Sequence, residues 1–362
     1  MVVEKKNMTN TDVCVLIAGT GGGGTGTELI KAFKLATHRY KIVATDMWAN
    51  SFGLSETPYR YTIPPASSSN YIDTLLKICK KENVQAVATG SEPELKQVAK
   101  NAHLFEENGI HVLLNPWKVI EMCTDKYELM NFLTSHGIRC PQYFLYEKES
   151  DLDKIPKYPI IIKPRVGGGS QNVFIAQDKE EVSFFTHYLK KYGYEPLVQE
   201  YVGTHEEEFT IGVLYADNGK LLTSIAMKRM LGSGLSTRQT IVNPNSKKKY
   251  MVSSCISQGL IDDFNELRKE AEKIAKIIGA NGPVNVQCRK TDDGIIPFEI
   301  NPRFSGTTGP RSLVGYNEPD IFCRYKLFGE IPAKVEYRYG YVVRSLIEKY
   351  ISLDEIKNTP TI

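Results

Sequence analysis

An apolar run, VCVLIAG at 13–19, passes straight into GTGGGGTGTELI at 19–30, and this junction narrows the fold more than any other stretch. A strand that enters a helix through a glycine-dense turn predicts a β-turn-α unit, with glycines where side chains would clash. Gly19, Gly21 and Gly24 have the G-x-G-x-x-G spacing of a dinucleotide-binding turn, and Gly21, Gly23 and Gly26 echo it. Asp46 ends the next strand, YKIVATD, about 20 residues on, where such a site keeps its ribose acid. A nicotinamide or flavin site is one reading of this loop. Plain architecture is the other.

The alternation continues. Strands at VQAVATG and IHVLL, with helices at 27–36, 70–82 and 92–109, predict a parallel sheet over the first 115 residues or so. An irregular, proline-containing stretch at 47–69 interrupts it. A second unit opens on DKYELMNFLTSHGI, a helix with an acid start and a glycine stop. It continues through RCPQYFLY, the strand YPIIIKP, the run GGGS, a helix at 180–191 and the strand PLVQEYV. In a third unit EEFTIGVLYADNGKLLTSIAMKRM forms a hairpin on a two-residue type I′ turn at Asn218-Gly219. A long amphipathic helix, IDDFNELRKEAEKIAKIIGA, precedes a second hairpin, GPVNVQCRKTDDGIIPFEINPR. The expected divisions are 1–115, 116–203, 204–335 and 336–362, the last a strand and a polar tail. The fold class is α/β and α+β.

Composition removes several functions. A net charge of +3 over 362 residues, with signs interspersed, gives no basis for nucleic-acid binding. The one basic run, 247–249, reads as a solvated loop. No apolar stretch approaches a bilayer span, and MVVEKKNMTN lacks the apolar core of a signal peptide. Seven scattered cysteines without a C-x-x-C pair point to a reducing cytoplasm and no zinc site.

The second hairpin carries the most chemistry. Strand alternation puts Glu299, Asn301 and Arg303 on one face, with Phe298 and Ile300 on the other. A three-residue DDG turn with Gly294 left-handed pairs Gln287 with Glu299 and Asn285 with Asn301. Four oxygen-bearing side chains and a guanidinium then share a surface. Such a set suits a hard cation beside phosphates, with the arginine gripping a terminal phosphate; a solvated polar sheet face is the alternative. In IIIKPRVGGGSQNV, Lys163 ends an apolar strand, and Gly167, Gly168, Gly169 and Ser170 form a loop whose amides can approach phosphates. A flexible hairpin tip would read similarly, but would leave Lys163 unexplained. The connector VQEYVG offers backbone groups to an adenine edge, or is a plain linker. Glu208 opens the first hairpin and offers a carboxylate to ribose hydroxyls, as an exposed acidic turn also would.

In this order the motifs resemble the ATP-grasp superfamily, closest to the carbamoyl-phosphate synthase large-chain half and the stand-alone amine ligases. The residues that carry the resemblance are Asp125-Lys126, IIKP at Lys163, GGGS, QEYV, EEF, NVQ and FEINPR, spread over 13–332. The resemblance implies an N-terminal Rossmann-like domain that needs no dinucleotide, followed by two lobes around ATP. Lys126 and Lys163 would contact the phosphates, and the glycine loop would fold over them. Glu200, Tyr201 and Val202 would line the adenine through their backbone, and Glu208 would hold the ribose. Gln287, Glu299 and Asn301 would hold Mg²⁺, with Mn²⁺ as an alternative, and Arg303 would grip the phosphate. Glutamine at 287, where many ligases of the superfamily have a carboxylate, matches the carbamoyl-phosphate synthase pattern. Metal binding without ATP should therefore be weak.

The implied reaction is ATP-dependent ligation of a small carboxylate, an amino acid by preference, to an amine or less often a thiol. A carbamoyl-phosphate-synthase-like kinase is one alternative, and an NAD(P)-binding oxidoreductase or regulator using Gly19–Gly26 is another. Candidates for the acceptor substrate are Lys228, Arg229 and Arg238 near a glycine-serine loop, and Ser305, Gly306 and Thr307 in FSGTTGPR. Arg229 falls opposite Glu208 in the hairpin and has pairing with that glutamate as its competing role. The expected partners are small molecules, with a homodimer left open.

Overall fold

The computed structural model describes residues 12–21, 24–232 and 234–362. The N-terminal eleven residues, Gly22 and Gly23 of the first glycine loop, and Ser233 of the glycine-serine loop lie outside that range.

The predicted parallel sheet is present. Strands β1 (Val13–Ala18), β2 (Tyr40–Asp46), β3 (Tyr59–Thr62), β4 (Ala86–Thr89) and β5 (His111–Val112) pair in parallel in the order β3-β2-β1-β4-β5. Strand β1 is buried along its whole length, as a central strand covered on both faces must be. Helices α2 (Tyr71–Glu82) and α3 (Glu92–Lys100) pack on one face. Helix α1 (Thr25–Lys34) packs on the other. Strand β3 falls inside the stretch expected to be irregular. It is four residues long and forms the sheet edge, so its apolar signal is weak. The single helix expected over 92–109 is two, because Asn101 leaves helical geometry and its side-chain amide donates to the Gln97 carbonyl before α4 (Ala102–Glu107) begins.

Helices α5 (Trp117–Thr124) and α6 (Lys126–Ser135) lead to a second sheet. Its strands β6 (Tyr143–Leu145), β7 (Ile160–Pro164), β8 (Phe174–Ala176) and β9 (Pro196–Glu200) run antiparallel in the order β6-β9-β7-β8, with α7 (Lys179–Lys191) over the face that buries Ile160 and Ile162. The third sheet has six strands. It comprises β10 (Glu208–Tyr215), β11 (Leu221–Arg229), β14 (Gly259–Ile261), β15 (Pro283–Thr291), β16 (Gly294–Asn301) and β17 (Gly340–Val342), ordered β16-β15-β10-β11-β14-β17. A separate ribbon, β12 (Thr237–Val242) with β13 (Lys249–Ser253), lies against β8. Helix α8 (Asn265–Ile277) buries Leu267, Ala271 and Ile274 on the six-stranded sheet, while α9 (Thr308–Leu313) and α10 (Glu318–Phe328) pack against α1. After α11 (Leu353–Lys357) the chain returns to the first sheet, where Thr62 N–H donates to the Pro360 carbonyl at 2.8 Å.

Both hairpins reach the expected far register by an unexpected route. In the first, the turn has three residues, Asp217 to Gly219, rather than two. Gly219 is left-handed (φ +75°), and an irregularity beside Tyr215 restores the pairing that sets Phe209 against Lys228. In the second, the turn has two residues between Thr291 and Gly294, and a bulge at Phe298 restores the pairing of Gln287 with Glu299. A one-residue slip would move every side chain to the wrong face, so burial fixes the far register and a bulge absorbs the difference.

Candidate active site

The four-stranded and six-stranded sheets face each other across a cavity lined by residues of both, among them Lys163, Tyr201, Glu208 and Glu299. Lys163, near the end of β7, is buried and donates to Gln199 Oε1 (2.7 Å) and the Phe298 carbonyl (3.2 Å). Phe298 is the bulged residue, so its carbonyl is out of the ladder. The bulge also turns its ring into the cavity beside Glu299, correcting the expectation that it points away. Burial, with Lys126 beside it, pushes the Lys163 ammonium down to about 7, and Glu299 works the other way. Burial lowers Lys126 as well. Its ammonium donates to the Gly167 carbonyl at 2.5 Å. Asp125, one residue earlier, caps α6, and its two carboxylate oxygens share the single Arg165 Nε–H at 2.9 and 2.8 Å, which fixes Lys126 at the cavity floor.

In the second glycine loop Gly167, Gly168 and Ser170 line the cavity, and Gly167, Gly169 and Ser170 have positive φ. Ser170 Oγ donates to the Ser253 carbonyl at 2.9 Å, tying the loop to the end of β13. The connector Glu200, Tyr201 and Val202 forms the opposite wall. Glu200 turns its carboxylate outward to Lys157 (2.7 Å), leaving its backbone side to the cavity. Tyr201 is pinned by its hydroxyl to the Met251 backbone (3.1 and 3.0 Å).

Glu208 is buried rather than an exposed acidic turn, and two arginines flank it. Arg289 donates to Oε2 from Nε (3.2 Å) and Nη2 (3.0 Å), and Arg229 Nη1 lies 3.3 Å from Oε1. Oε1 makes no hydrogen bond among the described residues. One carboxylate oxygen therefore remains for a hydroxyl, not two. Arg289 was missed by the motif reading, although β15 alternation already put it on the face of Asn285 and Gln287. It also stacks on the Tyr201 ring (4.0 Å) and donates to the Val202 carbonyl (3.0 Å), joining the connector to Glu208.

Gln287 faces Glu299, and Asn301 Nδ2 donates to Glu299 Oε1 at 3.0 Å. Arg303 Nη2 donates to Asn301 Oδ1 (3.1 Å), and its Nη1 to Thr25 Oγ1 (3.4 Å) and the Phe304 carbonyl (2.8 Å). Asn285 is not part of this surface group: Thr210 Oγ1 (2.8 Å) and Arg311 Nη2 (2.7 Å) occupy its oxygen in the core. Three oxygen donors thus remain, one of them a carboxylate, and no cluster of three His, Cys, Asp or Glu occurs among the described residues. This set fits a hard cation that takes its other ligands from phosphate oxygens.

The acceptor-site candidates are scattered. Arg229 is buried against Glu208 and donates to Gln287 Oε1 at 3.3 Å, so pairing is the role the structure gives it. Lys228 faces the other side of β11 and pairs with Glu207. Arg238 is exposed on β12. Ser305 and Thr307 bond each other in a buried turn (2.6 Å), and the Gly306 carbonyl accepts from Arg344 Nη1 (2.8 Å). None of Lys228, Arg238, Ser305, Gly306 and Thr307 lines the cavity.

The arrangement defines a class: a Rossmann-like sheet followed by two lobes that face each other across a cleft, the fold of ATP-dependent ligases. A family model described as ATP-grasp domain matches residues 123–307, and one described as PylC-like, N-terminal domain matches 15–113. The chain belongs to the ATP-grasp family. Carbamoyl-phosphate synthase of Methanobrevibacter smithii is 26% identical over 242 residues, 65% of this chain and 62% of that protein. The carbamoyl phosphate synthase large chain of Thermoplasma volcanium is 24% identical over 259 residues, 68% of this chain and 23% of that one. The chain therefore spans less than two thirds of either relative. Among solved structures, L-amino acid ligase from Bacillus licheniformis has the same fold (TM-score 0.62, 18% identity, 88% of this chain and 75% of that chain). Among the described residues no helix is long and apolar enough to cross a membrane.

Proposed function

We propose that this protein is an ADP-forming ligase that activates a small carboxylate as an acyl phosphate and passes the acyl group to an amine. The observation that carries the reading is the meeting of Lys126, Lys163, the second glycine loop, Glu208 and Glu299 around one cavity. In this reading the adenine lies along Glu200 to Val202 and a ribose hydroxyl donates to Glu208 Oε1. The triphosphate runs beneath the glycine loop, over Lys126 and Lys163. Gln287, Glu299 and Asn301 would hold Mg²⁺, which supplies charge neutralisation to the phosphates when bound.

A carboxylate oxygen attacks the γ-phosphorus, the bond to the β-γ bridging oxygen breaks, and ADP leaves. The amine then adds to the acyl carbon, phosphate departs, and the surplus amine proton goes to solvent or phosphate. No side-chain nucleophile is needed. Lys126, Lys163 and Arg303 hold the phosphoryl oxygens and offset the charge that builds on them, while loop closure keeps water from the acyl phosphate.

A second reading, a carbamoyl-phosphate-synthase-like kinase with bicarbonate as the carboxylate, is favoured by Gln287 and by the names of the relatives. An assay of ADP and phosphate release over carboxylates, bicarbonate and amines, with and without Mg²⁺, separates the two. Glu299→Ala should lower turnover by roughly 100-fold or more; unchanged turnover would discard the metal assignment. Absence of ATP binding by calorimetry would discard the ligase reading, and NAD(P)H conversion without ATP would restore the first glycine loop as a cofactor site.

A further inference from the structure

The order β3-β2-β1-β4-β5 places a topological switch point between β1 and β4, where open parallel sheets hold ligands beyond their strand ends. Ala18 ends β1 in register with Thr45 on one side and Thr89 on the other, so the three share a face beneath α2 and α3. The hydroxyls of Thr45, Thr89 and Tyr71 are fully buried there and make no hydrogen bond among the described residues. Glu94 Oε2 is likewise buried without a partner. Its carboxylate lies over Gly19, where a Cβ would stand 2.7 Å away, and Asp46 Oδ2 lies 3.5 Å from a Cβ position on Gly21. Burial, then the neighbouring Asp46 carboxylate, raises Glu94. Neither acid has an ion-pair partner among the described residues.

Buried hydroxyls and paired acids without a cation cost free energy unless something fills the need. An ammonium group does so: it donates three hydrogen bonds and neutralises the pair. The group held there is a recognition handle, not the attacking amine, because two carboxylates favour the protonated form, which has no free electron pair. This group of side chains also lies near the proposed reaction centre. Thr25, four residues after Gly21, accepts from Arg303, and the first turn of α3 carries Glu92 against Gly168 while Glu94 turns to Gly19.

Resting on the ligase reading above, we propose that Asp46 and Glu94, in a site bordered by the hydroxyls of Thr45, Thr89 and Tyr71, hold the free ammonium of the molecule whose carboxylate is activated at Arg303. The carboxylate donor is then an amino acid, and Gly19 and Gly21 border substrate rather than nucleotide.

Hydroxylamine as sole acceptor isolates the donor, since it converts any acyl phosphate to a hydroxamate. The assay runs the proteinogenic amino acids against their des-amino carboxylic acids, with ATP and Mg²⁺. Binding of both sets by calorimetry beside a non-hydrolysable ATP analogue gives a second measure. At least one amino acid should react or bind tenfold or more better than its des-amino partner. Glu94→Gln should raise the KM of that amino acid at least tenfold and narrow the preference, with the Kd of the ATP analogue unchanged. Equal use of des-amino acids, no amino acid bound or turned over by a protein that binds ATP, or an unchanged KM in both Glu94→Gln and Asp46→Asn overturns the proposal. Failure to bind ATP overturns the ligase reading instead.

Discussion

The two glycine loops are alike in composition and opposite in packing. In the first, a Cβ on Gly26 would stand 2.2 Å from the Gly19 carbonyl oxygen, and the loop is packed from outside by Gly90 and Gly53, whose Cβ would stand the same distance from the Gly19 and Thr20 carbonyl oxygens. Glycine is needed there because backbone fills the space a side chain would take. In the second, nothing lies within 4 Å of a Cβ on Gly167 or Gly169, yet both have positive φ (136° and 68°). Glycine is needed there for conformation, around a loop with room to move over the cavity. Crowded glycines hold a wall in place, and in the proposed reading the uncrowded ones shape a lid.

The largest expected break in this comparison is on the first loop. Gly90→Ala or Gly26→Ala should destabilise the protein by about 3 kcal/mol, the upper range for overpacking, because the opposing atoms are backbone and have no rotamer to escape into. Chemical denaturation measures this, and a change under about 1 kcal/mol would mean that strand and helix separate more easily than the contacts imply.

Gly169→Ala should act in the other direction, on ligand more than on fold. Its Cβ meets nothing, so the cost is that of placing an L-residue in the left-handed region, about 1 kcal/mol. Borne by the loop when it closes, this corresponds to roughly a fivefold rise in the KM for ATP. Equal stability losses in Gly90→Ala and Gly169→Ala would erase the distinction between the loops.

The sequence carried the parallel sheet, the order of motifs and both hairpin registers, since these rest on apolar alternation and on buried faces that tolerate no slip. Turn lengths were read one residue out in each hairpin, because a bulge can trade against a turn without moving the buried face, and neither leaves a strong local mark. The same bulge at Phe298 supplies the carbonyl that Lys163 reaches. Arg289 was legible in principle, two residues beyond Gln287 on one strand face. Its contacts with Glu208, Tyr201 and Val202 join segments 81, 88 and 87 residues away, which pattern reasoning does not connect. Lys228 illustrates the converse. A cation near a glycine-serine loop reads like a substrate ligand until the fold shows Glu207 beside it.

The smallest effect tests the second loop alone, through protons. Lys163 sits at about 7 in the free protein because burial and Lys126 disfavour its charge, below the ordinary lysine value of 10.5. Between those values the unfolded chain binds a proton that the folded one lacks. Stability from this group therefore rises with pH from about 7 to about 10.5, and the cost of charging it is felt below 7. A triphosphate laid over Lys163 reverses the balance by favouring the ammonium, so binding should draw in a proton. At about pH 8.5, where the triphosphate is already fully ionised, calorimetry in two buffers of different ionisation enthalpy should read an uptake approaching one proton per ATP analogue. Lys163→Arg, charged throughout, should abolish the uptake while leaving a cation in place. Gly90→Ala protein that still folds should keep it, because the proposed function gives the crowded loop no part in phosphate binding. Uptake near zero in the native protein would place the phosphates elsewhere than over Lys163, and the uncrowded loop would lose its role as their lid.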